Sequence, residues 1–186
     1  IVGKYLERTI NLKEAKIYCH SFSKMAESKL RDLSPLFETN LQKLIIHIPE
    51  CNSLCDEEIL DLIQNIRKLK TLEEFDFLLN WTEASGKLLK IKDFPEILFQ
   101  IAKLSHLRSL KKFSLDLEYY GPFQKKTFME FLQIFKRAGS LEKLTLFLLF
   151  DFTTEDPIIN LQEKMNVYKI FFDLPRLQEL NFPLWD

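Results

Sequence analysis

The sequence is poor in the residues that build small secreted folds and flexible linkers. Of 186 residues only 3 are cysteine and 4 are glycine. An odd, small cysteine count makes no disulfide framework, so the expected setting is a reducing one: intracellular, cytoplasmic or cytoskeletal, not secreted. No run of 18 apolar residues occurs, and the most apolar stretch, 144–150, is far too short to cross a bilayer. An excess of one charge sign is missing as well. The 26 basic and 27 acidic side chains leave a net charge of −1, which offers no whole-chain field to nucleic acid or an acidic membrane. Neither GxGxxG nor GxxxxGK[ST] is present, so no phosphate-cradling loop is expected. There is no signal-peptide pattern and no initiator Met. A chain that starts at Ile1 and stops just past a predicted strand is expected to be a fragment of a longer one.

What the sequence does have is a repeat. Leu41-x-x-Leu44-x-Ile46, Leu72-x-x-Phe75-x-Phe77, Leu110-x-x-Phe113-x-Leu115, Leu141-x-x-Leu144-x-Leu146 and Leu177-x-x-Leu180-x-Phe182 share one apolar skeleton. Its fourth position recurs at 44, 75, 113, 144 and 180, in steps of 31, 38, 31 and 36. A period of this size marks a stacked array, in which each unit contacts only its neighbours. Each skeleton ends in apolar–polar alternation, the period-2 signal of a half-buried strand. Between them lie stretches of helical period, such as Ile59, Leu62, Ile63, Ile66 and Phe128, Phe131, Leu132, Phe135. Strands joined through helices run parallel, because parallel neighbours need a long crossover. Phenylalanine is abundant, 17 residues, and each ring buries on the order of 150–250 Å², enough to fill the gap between a sheet and its helices.

These skeletons resemble leucine-rich repeats of the longer, helix-containing kind typified by ribonuclease inhibitor. The resemblance covers about residues 10–186. It implies an α/β solenoid with a parallel sheet of five or six short strands and helices on the convex side. The family places Asn or Cys three residues after the third apolar position, and here those positions are Pro49, Asn80, Glu118, Leu149 and Trp185. Only Asn80 fits, so a degenerate array with less regular curvature is expected. Residues 1–186 read as one irregular solenoid, with clear repeats from about 41 to 186.

In order, the expected strands are 43–48, 74–79, 112–117, 143–149 and 179–182, with a fainter one at 10–12. Helices are expected over 21–36, 55–69, 94–104 and 123–137, and from Asp156-Pro157 with a break near Asn166. Pro35 should disturb the end of the first. Ser53 and Asp56 have capping-box spacing, and Asp93-Phe-Pro95-Glu96 is a strong helix start. Tyr119-Tyr120-Gly121-Pro122 reads as a turn, 80–92 as the longest break, and Gly139 as a left-handed helix end.

If the skeleton points into the core, the residues between its members point out on the concave side. They form three columns: Lys43, Glu74, Lys112, Lys143, Glu179; Ile45, Asp76, Ser114, Thr145, Asn181; and His47, Leu78, Asp116, Phe147, Pro183. The resemblance implies a surface for protein partners, with Ile45, Leu78 and Phe147 as apolar anchors among charges. Reactive chemistry is weakly signalled. His47, Cys51 and Cys55 lack the Cys-x-x-Cys spacing of zinc knuckles, and Cys19-His20 lies elsewhere. Glu73-Glu74 and Asp116/Glu118 read as solvated faces rather than acid–base pairs. Lys111-Lys112, Lys125-Lys126 and Lys136-Arg137, near Tyr119, Tyr120 and Phe123, are balanced by acidic residues, so nucleic acid is not expected. No catalytic residue, metal, cofactor or small-molecule substrate is assigned. The expected function is a non-catalytic protein–protein interaction scaffold, a structural subunit of a large assembly. The alternative is the recognition module of a regulatory enzyme such as a ubiquitin-ligase adaptor, a kinase or a GTPase regulator.

Overall fold

The computed structural model describes residues 12–18, 31–49, 54–81, 92–152 and 161–183. They form one six-stranded sheet in sequential order: β1 Glu14–Tyr18, β2 Lys43–Ile48, β3 Glu74–Trp81, β4 Lys112–Phe123, β5 Lys143–Phe152 and β6 Glu179–Asn181. Every neighbouring pair is parallel. The crossovers are helical: α1 Asp56–Ile66, α2 Phe94–Ala102, α3 Lys125–Ile134 and α4 Leu161–Phe172, with a 3-10 helix Arg31–Glu38 ahead of β2. This is the leucine-rich-repeat-like α/β architecture that the skeletons predict.

Burial follows the alternation. Leu44, Ile46 and Ile48 are buried while Lys43, Ile45 and His47 are half-buried. The same side of the next strands supplies Phe75, Phe77, Leu79, Phe113, Leu115, Leu117, Leu144, Leu146 and Leu148 to the core. The apolar stripes of the helices, including Ile59, Leu62, Ile63 and Ile66, close over them. Phenylalanines run through this layer from unit to unit: Phe75 to Phe113 at 5.9 Å, Phe113 to Phe135 at 6.0 Å, Phe135 to Phe171 at 6.1 Å and Phe171 to Phe182 at 5.5 Å. Beside them Phe94 stacks on Tyr119 at 3.7 Å and meets Phe150 at 5.9 Å.

The register is set at the start of each strand by a repeated backbone device. Gln42 and Lys43 both donate their N–H to the Lys13 carbonyl, at 2.8 and 2.9 Å. Glu73 and Glu74 do the same to Gln42, Lys111 and Lys112 to Glu73, Glu142 and Lys143 to Lys111, and Gln178 and Glu179 to Glu142. A carbonyl oxygen has two lone pairs, so one acceptor serves two donors. A second ladder lies one step earlier in the chain. The hydroxyls of Thr71, Ser109 and Ser140, each just before a skeleton leucine, donate to the carbonyls of Leu41, Leu72 and Leu107 at 2.8, 2.8 and 3.0 Å. Hydroxyl side chains at the strand entrances thus tie loop backbone from unit to unit.

Several expectations need correction. The first strand is 14–18, not 10–12. Leu12-x-x-Ala15-x-Ile17 is the sixth skeleton, since Ala15 pairs with Leu44 and Ile17 with Ile46; small Ala at the fourth position hid it. Residues 21–30 lie outside the described residues, and 31–38 form a 3-10 helix with Pro35 inside rather than the end of an α-helix. The α1 N-cap is Cys55, whose N–H donates to Glu58 at 2.9 Å, so the box spacing begins two residues after Ser53. Helix 123–137 is α3 followed by a 3-10 turn over Phe135–Arg137. Gly139 does not take left-handed backbone, and an added Cβ would meet nothing within 4 Å. Residues 119–122 are strand, with a register shift between Tyr119 and Pro122 against β5, rather than a turn. α4 runs unbroken through Asn166. The segments 82–91 and 153–160 lie outside the described residues. The Asp93 cap is as expected, its carboxylate accepting from the Glu96 N–H at 3.1 Å.

Two substitutions test the layering. Phe135→Ala, on the sealed side, is expected to cost about 3–5 kcal/mol, whereas Phe147→Ala, on the open side, should change stability by no more than about 0.5 kcal/mol. Urea denaturation of both variants checks the contrast; equal costs would mean that the outer side is also packed. Ser109→Ala, which leaves the Leu72 carbonyl without its hydroxyl, should cost about 1 kcal/mol in the same measurement.

Candidate functional site

The side of the sheet away from the helices carries the three predicted columns in strand register. The first row is Glu14, Lys43, Glu74, Lys112, Lys143, Glu179, each paired across its neighbour. Sign alternates through most of the row, so the chain neutralises itself. Lys43 Nζ lies 3.7 Å from Glu14 and 3.5 Å from Glu74, Lys112 Nζ 2.5 Å from Glu74, and Lys143 Nζ 2.5 Å from Glu179. The hydrogen bond from Lys112 holds the Glu74 carboxyl below the usual glutamate range, and Glu74 in turn raises the Lys112 ammonium.

The second row is Lys16, Ile45, Asp76, Ser114, Thr145, Asn181 and the third is Tyr18, His47, Leu78, Asp116, Phe147. A depression of about 210 Å³ lies along the first two rows, lined by Lys43, Ile45, Glu74, Asp76, Lys112, Ser114, Lys143 and Thr145 with backbone neighbours. His47 Nε2 sits 3.3 Å from Asp76 Oδ2, and Tyr18 meets the His47 ring edge-on at 5.1 Å. A fourth row, Asn80, Glu118 and Leu149, follows. Tyr18, Phe147 and Leu149 are 52%, 42% and 43% exposed, whereas Leu146, Leu148 and Phe150 on the core side of β5 are buried; the other exposed large apolar side chains among the described residues, Met165 and Phe172, lie on α4.

Asp116 stands directly between Leu78 and Phe147 on the adjacent strands. Burial pushes its carboxyl above the usual aspartate range. The negative charges of Glu118 and Asp76 add to the shift, and His47 opposes it. The Asp116 side chain makes no ion pair or hydrogen bond among the described residues.

All twelve predicted contact residues, Lys43, Ile45, His47, Glu74, Asp76, Leu78, Lys112, Ser114, Asp116, Lys143, Thr145 and Phe147, therefore share one face. Pro183 is exposed but lies past the end of β6. The sequence reading missed Glu14, Lys16 and Tyr18, because it set the first strand four residues early. It missed Leu149 by reading that position only as a failed Asn. The alternation Phe147-x-Leu149 was the available signal.

The residues weighed for chemistry are dispersed. His47 pairs with Asp76, and Cys55 caps α1; Cys19, His20 and Cys51 lie outside the described residues. Burial raises the Cys55 thiol, the direction that disfavours a reactive thiolate. No group of three metal-ligating side chains occurs among the described residues. Glu73 and Glu74 bind Lys111 and Lys112, and Lys125 and Lys126 bind Glu163 and Glu130. No helix among the described residues is long and apolar enough to cross a membrane.

Glu74 and Asp116, the shifted carboxylates of this face, act on stability in opposite senses. Glu74 has a depressed folded-state pKa, so its contribution is present at neutral pH and lost as pH falls through the carboxylate range. Glu74→Gln should cost less than about 1 kcal/mol at neutral pH, the pair being exposed, and the cost should vanish in acid. Asp116 has a raised pKa, so its charged form opposes folding above that pKa. Asp116→Asn should stabilise at neutral pH, by less than about 1 kcal/mol after solvent screening, and the gain should disappear as pH falls. Thermal melts across the acid range measure both; a neutral-pH loss for Asp116→Asn would contradict the assignment.

No protein-family model matches the chain, and no curated protein matches it in sequence. Solved structures do resemble it. A tropomodulin C-terminal domain from Caenorhabditis elegans aligns with a TM-score of 0.56 at 15% identity, over 92% of this chain and 89% of that one. Leiomodin-1 actin-binding site 2 aligns with a TM-score of 0.53 at 14% identity, over 91% of this chain and 87% of that one. At these identities the likeness is one of fold: the chain shares the leucine-rich-repeat-like architecture of those domains.

Proposed function

We propose that the chain is a non-catalytic protein-interaction module that presents the helix-free face of its sheet to another protein. The observation that carries this is the asymmetry of the sheet. One side of the sheet is covered by helices and phenylalanines, while the other leaves Tyr18, Phe147 and Leu149 exposed on the strands among charges; Met165 and Phe172, also exposed, lie on α4 and not on the sheet. An exposed apolar group inside a polar rim is the composition of a protein contact surface. The fold likeness to a domain called an actin-binding site supports a protein as the class of partner. It does not name the partner, since one fold hosts many functions. Our reading extends to one continuous solenoid, akin to ribonuclease-inhibitor-type repeats in having a helix in each crossover. It would serve as a structural subunit of a larger cytoplasmic or cytoskeletal assembly.

Cross-linking of the native assembly, followed by mass spectrometry, tests this reading. Lys43, Lys112 and Lys143 are 39%, 53% and 42% exposed along their side chains, open enough to react. They should cross-link to a second protein. Cross-links from these three that stay within the chain would overturn the proposal.

A further inference from the structure

The open face is divided into two zones of different chemistry. At the strand entrances every lysine of the first row has a carboxylate partner within the chain. A partner gains little there, because exposed pairs that are already made have small net worth. Toward the strand exits the balance changes. Asp116 lies in register between Leu78 and Phe147, with Glu118 two residues on along the same side of β4. Phe147 and Leu149 next to them are exposed.

Resting on the open-face reading above, we infer that Leu78, Asp116, Phe147 and Leu149 form its recognition centre, and that this centre takes a protein segment presenting an arginine or lysine beside an apolar side chain. Charge complementarity selects this occupant. The aliphatic stem of a basic residue can lie on Leu78 and Phe147 while its head reaches Asp116. An arginine head also stacks on the exposed face of Phe147. The apolar neighbour of the basic residue covers Leu149. A cation there compensates the burial of the Asp116 carboxyl in the free protein and its crowding by Glu118 and Asp76. An acidic segment meets repulsion at the same place.

A phage-displayed library of random linear peptides, selected against the purified full chain, supplies the probe. The expected enrichment is for peptides with Arg or Lys next to an aromatic or aliphatic residue. Synthetic copies should bind at least about tenfold more weakly to Asp116→Asn and to Phe147→Ser, with affinity falling as salt rises. Circular dichroism and a melting curve establish that both variants fold. Loss of binding with Lys112→Ala and Lys143→Ala, but not with Asp116→Asn, overturns this inference and leaves the open-face reading standing. Binding indifferent to every substitution on the open face overturns both. Enrichment of acidic peptides, or of none, overturns the cation-bearing segment alone. Self-association abolished by Asp116→Asn would put a second copy in its place and likewise overturn it.

Discussion

The doubled acceptance of two N–H groups by one carbonyl at each strand entrance is the constraint on which the rest depends. A parallel ladder has evenly spaced, slanted hydrogen bonds, and a slip of one residue turns every side chain to the other face, so the buried face and the strand entrances together must hold the register. At Lys13, Gln42, Glu73, Lys111 and Glu142 a single oxygen holds two successive donors of the following unit. That fixes which residue of each repeat stands first. The alternation then sorts the side chains, and steps as unequal as 31 and 38 residues still deliver aligned rows. The irregularity is absorbed between the strands, in the crossovers, where it does not disturb the face.

Alignment has an electrostatic consequence. Because the first residue of every strand falls in one row, the alternation of Glu14, Lys43, Glu74 and Lys112 becomes a line of mutual ion pairs across the sheet. Such a line specifies register, since like charges directly opposite one another are unfavourable. It also leaves the strand entrances electrically quiet. The exits are different because β4 and β5 run on to Phe123 and Phe152, well beyond β2 and β6. Their extra length carries Glu118 and Leu149 onto the open side and Tyr119 and Phe150 into the core. A register shift between Tyr119 and Pro122 ends the regular pairing there. Irregular strand ends of this kind are where sheets re-aim side chains.

The architecture was legible because it rests on residue types that one position admits and others do not. Leu, Ile or Phe at the first, fourth and sixth skeleton places is visible without coordinates, and so is the polar residue between the last two in every repeat but the one with Ile45. Legibility failed where a small side chain satisfied the same constraint. Ala15 fills the fourth place beside Leu44, and the reading slid to Ile10 and Leu12. It failed again at Tyr119–Pro122, where Gly and Pro in sequence argue for a turn but the pairing with β5 outweighs local propensity. The hydroxyl ladder through Thr71, Ser109 and Ser140 was also invisible. Its acceptors are backbone atoms some thirty residues away, and no side-chain pattern announces a carbonyl. Of the candidate face, the membership of the rows could be read from alternation. The division into a self-paired zone and an acidic, apolar one could not, because it depends on which lysine reaches which carboxylate.

That division bears on why Asp116 is aspartate at all. Packing does not ask for it: Ser114 and Thr145 show that small neutral residues fit the same side of the sheet. Folding does not reward it either, since the surroundings push its carboxyl toward the neutral form. The proposed contact role accounts for this: a residue that gains nothing from folding is kept at the open face for a partner rather than for stability. The same holds for Phe147, whose ring is exposed while the core-side residues of its own strand, Leu146, Leu148 and Phe150, are buried. The two stand side by side in one row, held there by the backbone staple between Lys111 and the start of β5. Their adjacency is therefore as rigid as the sheet itself, and a partner that meets one of them meets both.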